Sequence, residues 1–463
     1  MENQDTKRVE TKAFDIDEFD MEHLVQLLKD RKLHEARELL SEQNEVDLAE
    51  ILSELDDEEL PIAYRILPKE LAADAFSYLE ADTQETLIHA FSDKELNFII
   101  ENLFLDDTVD MIEEMPANVV KRILKNTDPV TRREINELLK YPEDSAGSIM
   151  TTEYVRLQEG MTVREAFDRI RKVGVDKETI YTCYVTNAKR ELLGVVTIKD
   201  LLLAEYETQI RDIMETNVLY VTTTEDQEKV AHSFDRYNFL ALPVVDNEQR
   251  LVGIITFDDV IDVLQEENTE DIERMAAIIP TDKPYIKTGP LETYRKRIPW
   301  LLLLMISATF TGAIIAHYEE ALGAYVVLTA YIPMLMDTGG NAGSQASVSI
   351  IRGLSLEEIE FKDIFRIQGK EFLVSLLCGA TLAVANFVKL IFFDHVSMTV
   401  SLVICLTLIC TVIVAKFVGC SLPILAKKVG FDPAVMASPF ITTIVDALSL
   451  LIYFQFASHI LGI

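Results

Sequence analysis

The chain has 463 residues, with 43 Lys and Arg, 77 Asp and Glu, and a formal net charge of −34 at pH 7. A protein this acidic repels nucleic acid and attracts cations, which argues against a nucleic-acid partner. Only 11 basic and 12 acidic residues follow Pro290, so nearly all of the excess charge lies in residues 1–290. Two interpretations are open: a solvated surface that keeps the protein soluble, or a surface that binds cations.

The start of the chain and its cysteines favour a cytoplasmic first region. The first 20 residues are polar and acidic, so we expect no signal peptide. The five cysteines contain no C-x-x-C pair, and the seven histidines show no ligand spacing. Four of the cysteines lie in apolar runs, where they are expected to pack as small hydrophobic side chains.

Residues 20–140 show the pattern of successive short helices. The leucines of residues 24–28 recur at helical spacing, and the sequence L-D-D occurs at 55–57 and again at 105–107. Loose repetition of this kind is typical of stacked short helices. We therefore predict an acidic, α-helical, superhelical N-terminal domain over residues 1–140.

Residues 141–262 contain a sequence duplication. The segment L-L-G-V-V-T-I-K-D-L at 192–201 aligns with L-V-G-I-I-T-F-D-D-V at 251–260, and each follows an Ile-Met pair, at 149–150 and 213–214. The pattern predicts two β-α-β-β-α units of about 60 residues each. It resembles a pair of cystathionine-β-synthase (CBS) domains, which implies an α+β ligand-sensing module. The predicted strands are Tyr181–Val185, Leu192–Ile198, Ala241–Val245 and Leu251–Phe257.

A very acidic segment follows the duplication. We predict an unbroken helix from Asp258 to Ile279, and we assign residues 263–290 as a connecting helix that leads into the first apolar run. Carboxylates at i, i+3 and i+4 share one face of a helix and repel one another, so this helix needs counter-ions. The eight acids that precede Arg274 are Asp258, Asp259, Asp262, Glu266, Glu267, Glu270, Asp271 and Glu273.

Five apolar runs predict an all-α, five-helix transmembrane domain over residues 291–463. A helix rises 1.5 Å per residue, so about 20 residues cross the hydrocarbon core of a bilayer. Four runs are long enough unaided, and the short second run is expected to continue past a glycine-rich break to Ile351. The runs are Trp300–Tyr318, Ala321–Met336, Phe372–Phe393, Thr399–Leu425 and Pro433–Ile460.

Basic residues predict the orientation of these spans, because cytoplasmic loops are enriched in Lys and Arg. Basic residues occur at 295–297, between the second and third runs, and at 427–428. We therefore expect a multi-pass protein of the cell (plasma) membrane with a cytoplasmic N-terminus and an extracytoplasmic C-terminus. Lys416 lies inside the fourth run, near its cytoplasmic end, and is expected to snorkel.

Asp446 lies midway along the last apolar run. An ionised carboxylate inside a membrane costs several kcal/mol unless it faces water or a cation. It therefore predicts a site on an ion pathway. The alternative is a protonated carboxyl, or one bonded to a Ser or Thr hydroxyl, in a helix interface; Thr442 and Thr443 suit either interpretation.

The second intramembrane feature is P-M-L-M-D-T-G-G-N-A-G-S-Q at 333–345. Its glycines would let the backbone approach an ion or break the helix, or would instead serve close helix packing. The segment is not a phosphate-binding loop, because no G-K-[ST] follows it. Asp337 supplies a further carboxylate at the start of the predicted break.

The segment at 333–345, together with G-F-D-P-A at 430–434 and T-T-I-V-D-A at 442–447, resembles the MgtE family of magnesium channels and transporters. The resemblance covers nearly the whole chain. It implies a Mg²⁺-importing homodimer in the lipid bilayer, not an enzyme, with a pore on the two-fold axis and Asp446 as the pore carboxylate. The other pore-lining positions that it implies are Gly340, Asn341, Gly343, Ser438 and Thr442.

The resemblance also implies regulatory Mg²⁺ sites, at which the ion holds the connecting helix against the pore at high cytosolic Mg²⁺. Two positions depart from the family pattern: Asn238 stands where an acid is expected, and Asp235 where only a backbone ligand is expected. The residues implied as ligands are Asp74, Asp106, Asp110, Asp226, Asp235, Asn238, Asp259, Asp262, Glu267, Glu270, Asp271 and Asp432.

CBS pairs often bind adenine nucleotides, and ATP modulates some members of the family. The matching positions here are Lys199, Asp200 and Phe239, so ATP is a possible modulator. Three rival hypotheses stay open: transport of Co²⁺, Mn²⁺ or Ni²⁺, an intramembrane metalloprotease, and a sensor or scaffold without transport. Softer ions prefer His or Cys ligands, and a metalloprotease needs H-E-x-x-H in a span, which the sequence lacks.

Overall fold

The computed structural model describes residues 16, 19–281, 285–286, 288–436 and 438–462. The chain divides into two compact units, Met1–Val263 and Leu264–Ile463. Each unit is described by itself below. The boundary falls within one long helix, so this helix contributes residues to both units.

The first unit begins with ten short helices that form the predicted superhelical layer. Most helices contact the next but one along the chain, so the helices stack in two rows. Pro68 and Pro116 stand directly before α5 and α9, where they separate successive helices, because a residue that precedes proline is pushed out of the helical region. The helices are α1 Met21–Lys29, α2 Leu33–Ser41, α3 Glu45–Ser53, α4 Leu60–Ile66, α5 Lys69–Ser77, α6 Ala81–Ala90, α7 Asp93–Asn102, α8 Leu105–Glu114, α9 Ala117–Asn126 and α10 Pro129–Leu138.

The predicted duplication is confirmed as two three-stranded sheets. In each sheet the first two strands are parallel and the last two antiparallel. The first strand of each predicted β-α-β-β-α unit is present, although its bounds were not predicted, and the four strands with predicted bounds are correct to within two residues at each end. The elements are β1 Tyr154–Gln158, α11 Val163–Val173, β2 Thr179–Thr186, β3 Leu192–Thr197, α12 Ile198–Leu203, α13 Ile210–Ile213, β4 Val221–Thr222, α14 Gln227–Tyr237, β5 Ala241–Val245, β6 Leu251–Thr256 and α15 Phe257–Met275.

The two repeats exchange contacts through their matching glycines. A Cβ on Gly194 of β3 would lie 3.0 Å from the Sδ atom of Met214, and one on Gly253 of β6 would lie 2.6 Å from that of Met150. Each methionine therefore packs against the glycine of the other repeat. This exchange explains why both the Ile-Met pairs and the glycines recur in the sequence.

Helix α15 ends at Met275, so the predicted helix to Ile279 is wrong at its C-terminal end. Ala277 has a positive φ of 55°, and the amide of Ile278 donates to the carbonyl of Glu273 at 2.9 Å. These contacts close the helix end in the left-handed way that usually favours glycine. The last part of the predicted connecting helix is therefore not helical where the structure describes it.

The second unit continues with six helices that follow α15. Among the described residues, four segments are long and apolar enough to cross a membrane: Pro290–His317, Phe361–Phe392, Met398–Val429 and Pro439–Leu461. The fifth long helix, of 24 residues, is less apolar and largely buried. The expectation of an all-α domain with several apolar helices is confirmed. The helices are α16 Pro290–His317, α17 Glu319–Ala324, α18 Ile332–Ser355, α19 Ile364–Phe392, α20 Met398–Val429 and α21 Ser438–Leu461.

The predicted second span has different bounds in the structure. Residues 321–336 divide among α17, a 3-10 turn at Val326–Tyr331 and the start of α18. Helix α18 is continuous through its glycines, so the predicted glycine-rich break is wrong. The last helix also begins later than predicted, at Ser438, after a 3-10 turn at Ala434–Met436.

The glycines of α18 serve close helix packing. A Cβ on Gly340 would lie 2.9 Å from Thr442 Cγ2, and one on Gly343 would lie 2.7 Å from Ile441 Cγ2. A Cβ on Gly419 of α20 would overlap the carbonyl oxygen of Gly343. Glycine therefore lets α18, α20 and α21 approach to backbone contact, as in small-residue packing of membrane helices.

Gly419→Ala is expected to destabilise the second unit, because backbone cannot yield as a flexible side chain can. Overpacking typically costs about 1–3 kcal/mol, and a contact with backbone should reach the upper part of that range. Thermal unfolding of the purified, detergent-solubilised protein measures the loss. Gly369→Ala is the matched control, because no described atom lies within 4 Å of its added Cβ. Equal melting temperatures for the two variants would contradict the packing account.

Lys416 does not snorkel. Its Nζ lies 3.2 Å from Oε2 of Glu371, and its side chain is 8% exposed. The predicted snorkelling is therefore wrong, because a carboxylate on α19 neutralises the lysine inside the helix bundle. Such pairing is the usual state of an ionisable residue within a membrane domain.

Candidate functional site

The first unit contains an acidic cavity of about 350 Å³ between the helical layer and the CBS pair. Four of the predicted ligands line it: Asp74 on α5, Asp106 on α8, and Asp259 and Asp262 on α15. The fold therefore collects acids that lie far apart in sequence. The acidic cavity is also lined by four carboxylates that were not predicted as ligands: Glu45, Asp107, Glu178 and Asp258.

Two carboxylates of the acidic cavity, Asp106 and Glu178, form a group of metal-ligand type with Glu153. Ligand oxygens of Asp106, Glu153 and Glu178 all lie within 4.8 Å of one another. Asp106 is only 7% exposed, and Glu153 accepts a hydrogen bond from the amide of Leu105 at 3.1 Å. The Oε2 atom of Glu178 is buried and has no hydrogen-bond partner in the described part of the chain. An all-oxygen donor set of this kind suits a hard cation such as Mg²⁺ or Ca²⁺.

Burial and crowding raise the pKa of three carboxyls that line the acidic cavity, Asp106, Asp107 and Glu178. Burial, together with repulsion from Asp258 and Asp259, raises the pKa of Asp107 to about 7 and that of Glu178 to about 8. Burial also raises the pKa of Asp106 well above its usual range. A divalent cation would favour the ionised forms, so cation binding and proton release are coupled here.

Asp259 combines a local structural role with its place in the cavity. Its Oδ2 accepts a hydrogen bond from the Thr256 hydroxyl at 2.5 Å, and Asp200 accepts from Thr197 in the same way in the first repeat. The recurring Thr-x-x-Asp is therefore a helix cap as well as a candidate ligand. Burial is the main cause that raises the pKa of Asp259, to about 6.

The remaining ligands predicted in the first unit do not line the acidic cavity. Asp110 on α8 is nevertheless close to it, because burial and then the charges of Asp259 and Asp107 raise its pKa to about 8. Asp226 caps the N-terminus of α14, where it accepts from the amide of Glu228 at 3.0 Å. Asn238 ends the same helix with φ of 55°, and Asp235 is exposed in its last turn. This conformation explains why asparagine occupies position 238, because asparagine tolerates the left-handed region better than most residues.

The predicted nucleotide residues are partly used by local structure. Lys199 and Asp200 are exposed at the start of α12, where Asp200 and Thr197 form a reciprocal cap. Phe239 is half-buried and stacks on Tyr237 with ring centroids 5.6 Å apart. The structure therefore assigns Asp200 a capping contact.

Asp446 is half-buried in the third turn of the last helix, and its carboxylate makes no hydrogen bond or ion pair with any described residue. The hydroxyls of Thr442 and Thr443 instead donate to the carbonyl of Pro439, at 2.9 and 3.0 Å. The alternative in which these threonines satisfy Asp446 is therefore not what the structure shows. Asp446 is a carboxylate in an apolar helix with its oxygens available to a ligand.

A second carboxylate lies near Asp446. Asp337 on α18 is close enough for its charge to act on Asp446, and it is exposed on the same helical stripe as Asn341. Gly340 and Gly343 are buried against α21, so Asn341 is the predicted pore position of α18 that presents a side chain to the surface. Ser438 begins the last helix, and its side chain lies outside the described residues. We call Asp337, Asn341 and Asp446 the polar stripe.

The other predicted ligands of the second unit surround Arg274. This arginine pairs with Glu270 on α15 and with Asp432 in the loop before the last helix. The charge of Glu267 also acts on Arg274. Asp271 is half-buried on the same helix.

Family models match three parts of the chain. The MgtE intracellular N domain matches residues 43–144, the CBS domain matches residues 146–207 and 210–266, and MgtE, described as a divalent cation transporter, matches residues 332–456. Together these regions include both the acidic cavity and the polar stripe.

Similar proteins match over almost their whole length. The magnesium transporter MgtE of Thermus thermophilus is 38% identical over 442 residues, which are 95% of this chain and 98% of that protein. The magnesium transporter MgtE of Bacillus subtilis is 33% identical over 94% of this chain and 96% of its own length.

Two solved structures resemble the first half of the chain. The cytosolic domain of the Mg²⁺ channel MgtE in complex with ATP is 40% identical, with a TM-score of 0.50, and covers 52% of this chain and 99% of that structure. The soluble part of a magnesium transporter is 31% identical, with a TM-score of 0.50, over 53% and 97%. The chain therefore belongs to the MgtE family of divalent cation transporters, which are membrane proteins and not enzymes.

Proposed function

We propose that this chain imports Mg²⁺ across the cell membrane through a pore that contains Asp446. The observation that supports the proposal best is a carboxylate in an apolar helix that pairs with no described residue, with Asp337 close enough to repel it. Two neighbouring negative charges in a membrane domain favour a cation between them. No His or Cys accompanies Asp446, so a hard cation suits the site better than Co²⁺ or Ni²⁺. The relatives named as magnesium transporters point to Mg²⁺.

We further propose a homodimer with the pore on its two-fold axis, lined by the polar stripe and its copy. Asp337 and Asn341 are exposed in the single chain, which leaves them available to face a second copy. The basic ends of the spans favour a cytoplasmic N-terminus and an extracytoplasmic C-terminus. The domains would then be the N-domain at 1–140, the CBS pair at 141–262, the connecting helix at 263–290 and the membrane domain at 291–463.

We infer that the acidic cavity senses cytosolic Mg²⁺. Its carboxylates come from α3, α5, α8, α15 and the segment before β2, so one ion would crosslink parts of the first unit that otherwise repel one another. Occupancy would favour a compact state, and loss of the ion an expanded one. Weak all-oxygen cation sites typically respond at about 10⁻⁴–10⁻³ M.

ATP is proposed as a modulator of the CBS pair. The solved cytosolic domain of a related Mg²⁺ channel contains ATP, and its sequence is 40% identical to the matching part of this chain. Lys199 offers a positive charge and Phe239 an aromatic face, which suit a phosphate and an adenine respectively. Asp235, Asn238 and Asp226 stay proposed Mg²⁺ ligands at the two ends of α14.

Flux into liposomes tests the proposed transport. Liposomes that contain the purified full-length chain are expected to take up Mg²⁺ when the membrane potential is negative inside. The rate of uptake should fall as the Mg²⁺ concentration rises on the side that the soluble domains face. Each 100 mV supplies about 2.3 kcal/mol per charge, so ATP hydrolysis is not needed. Protein-free liposomes are the control. A flux no greater than that control, with protein present in both orientations, would refute the proposal.

A further inference from the structure

Arg274 lies between two carboxylates that the family resemblance implies as cation ligands. Its guanidinium pairs with Glu270, one turn earlier on α15, and with Oδ2 of Asp432 in the loop before α21. The three side chains are 27–35% exposed, so the contacts are partly shielded from water. A protein cation therefore lies where a bound ion would bridge the same two groups.

Arg274 already contacts an oxygen of each carboxylate. The Oδ1 atom of Asp432 accepts a hydrogen bond from the amide of Ala434 at 2.7 Å, while Oδ2 accepts from Arg274. A divalent ion that bridges Glu270 and Asp432 would have to share these oxygens with the guanidinium or displace it. It would also be repelled by the fixed positive charge, which arginine keeps at every physiological pH.

Further contacts of the same helix need no metal ion either. Asn268 accepts a hydrogen bond from Arg352 of α18 at 3.4 Å, and Met275 packs against Ile351 and Ala434. These contacts and the Arg274 pairs join residues 264–275 to the ends of α18 and the loop before α21. The helix thus has a docked state that is held by the protein's own side chains.

We propose that Arg274 is a built-in counter-ion that competes with the divalent cation for Glu270 and Asp432. In the absence of the cation it keeps the connecting helix docked, and it raises the cation concentration needed to occupy this pair. The proposal rests on the proposed function, in that the cation is the one that gates transport. The competition itself requires only that these two carboxylates bind either partner.

Hydrogen–deuterium exchange of residues 264–275 in the full-length protein in nanodiscs tests the competition. In metal-free buffer, Arg274→Gln is expected to increase exchange of this segment, because two ion pairs are lost. On titration with Mg²⁺, the same variant is expected to regain protection with a midpoint about two- to tenfold lower than the parent, since each partly exposed pair contributes a factor of a few. Arg274→Lys keeps the charge but not the forked geometry of the guanidinium. Its metal-free exchange and its Mg²⁺ midpoint should therefore lie between those of the parent and those of Arg274→Gln.

Arg295→Gln is the matched control, since Arg295 is exposed and forms no ion pair among the described residues. Unchanged metal-free exchange in Arg274→Gln, or a midpoint that is unchanged or higher, would overturn the proposal. Asp432→Asn gives a second test, because asparagine keeps an oxygen for the Ala434 amide but removes the charge. Its metal-free exchange must also increase. Failure of the proposed function would appear separately, as a flux that does not respond to Mg²⁺ in the parent protein.

Discussion

Replacing Asp446 by asparagine is expected to reduce Mg²⁺ flux to the level of protein-free liposomes. The change preserves the shape of the side chain but removes its charge. A unit charge about 4 Å from an ion contributes on the order of 4 kcal/mol per ion charge at an effective dielectric constant of 20. A loss of this size reduces the affinity for the ion by a factor on the order of a thousand.

Flux and protein quantity must be measured together for this variant. Asp446→Glu keeps the charge on a longer side chain and should retain part of the flux. Glu358→Gln, an exposed loop acid of the same unit, is the control for loss of one negative charge. An asparagine variant that folds normally and transports at the parent rate would exclude Asp446 from the pathway. It would then favour a sensor or scaffold over a transporter pore.

Neutralising carboxylates of the acidic cavity is expected to change the stability of the protein and its stabilisation by Mg²⁺. The double variant Asp106→Asn, Glu178→Gln should be more stable than the parent in metal-free buffer at pH 8, and should gain much less stability from Mg²⁺. In the folded parent, burial raises the pKa of Glu178 to about 8 and that of Asp106 well above its usual range, so their stability contribution is complete below about pH 4 and is lost as pH rises through these raised values.

Thermal unfolding at two pH values separates this effect from ordinary mutational damage. The metal-free parent should melt at a lower temperature at pH 8 than at pH 5.5, and Mg²⁺ should restore more stability at pH 8. One unit of pKa shift corresponds to about 1.4 kcal/mol, and each kcal/mol shifts the melting temperature of a unit this size by about 2–4 °C. Glu54→Gln with Glu58→Gln, two exposed acids outside the cavity, should behave as the parent. A Mg²⁺ effect that is the same at both pH values would refute the coupling.

Sequence patterns alone predicted the helices and strands whose formation depends on residues close by in the sequence. Helical periodicity in residues 20–140, the duplication at 192–201 and 251–260, and long apolar runs after Pro290 are local features. Their structures followed as expected because caps, turns and hydrophobic patterning act over a few residues. The placement of Asp446 in a membrane helix was also visible, since an isolated acid in an apolar run needs no tertiary information to be noticed.

Helix ends and breaks were predicted less well, because tertiary packing decides them. The glycines of 339–343 looked like a helix break, yet α18 continues through them because α20 and α21 fill the space that side chains would occupy. Lys416 looked like a snorkelling residue until α19 placed Glu371 within 3.2 Å of it. Helix α15 ended early because Ala277 adopts a left-handed conformation that is rare for alanine.

By itself, the sequence determined the order of domains, the acidic excess before residue 290 and the identity of the membrane carboxylate. Only the tertiary structure decided which acids meet. It placed Glu153 and Glu178 beside Asp106, set Asp337 near Asp446, and put Arg274 between Glu270 and Asp432. Charge composition is a sum over residues, whereas a cation site depends on distances of a few ångströms between groups far apart in the chain. Those distances are set by the packing of helices and sheets, which no local pattern records.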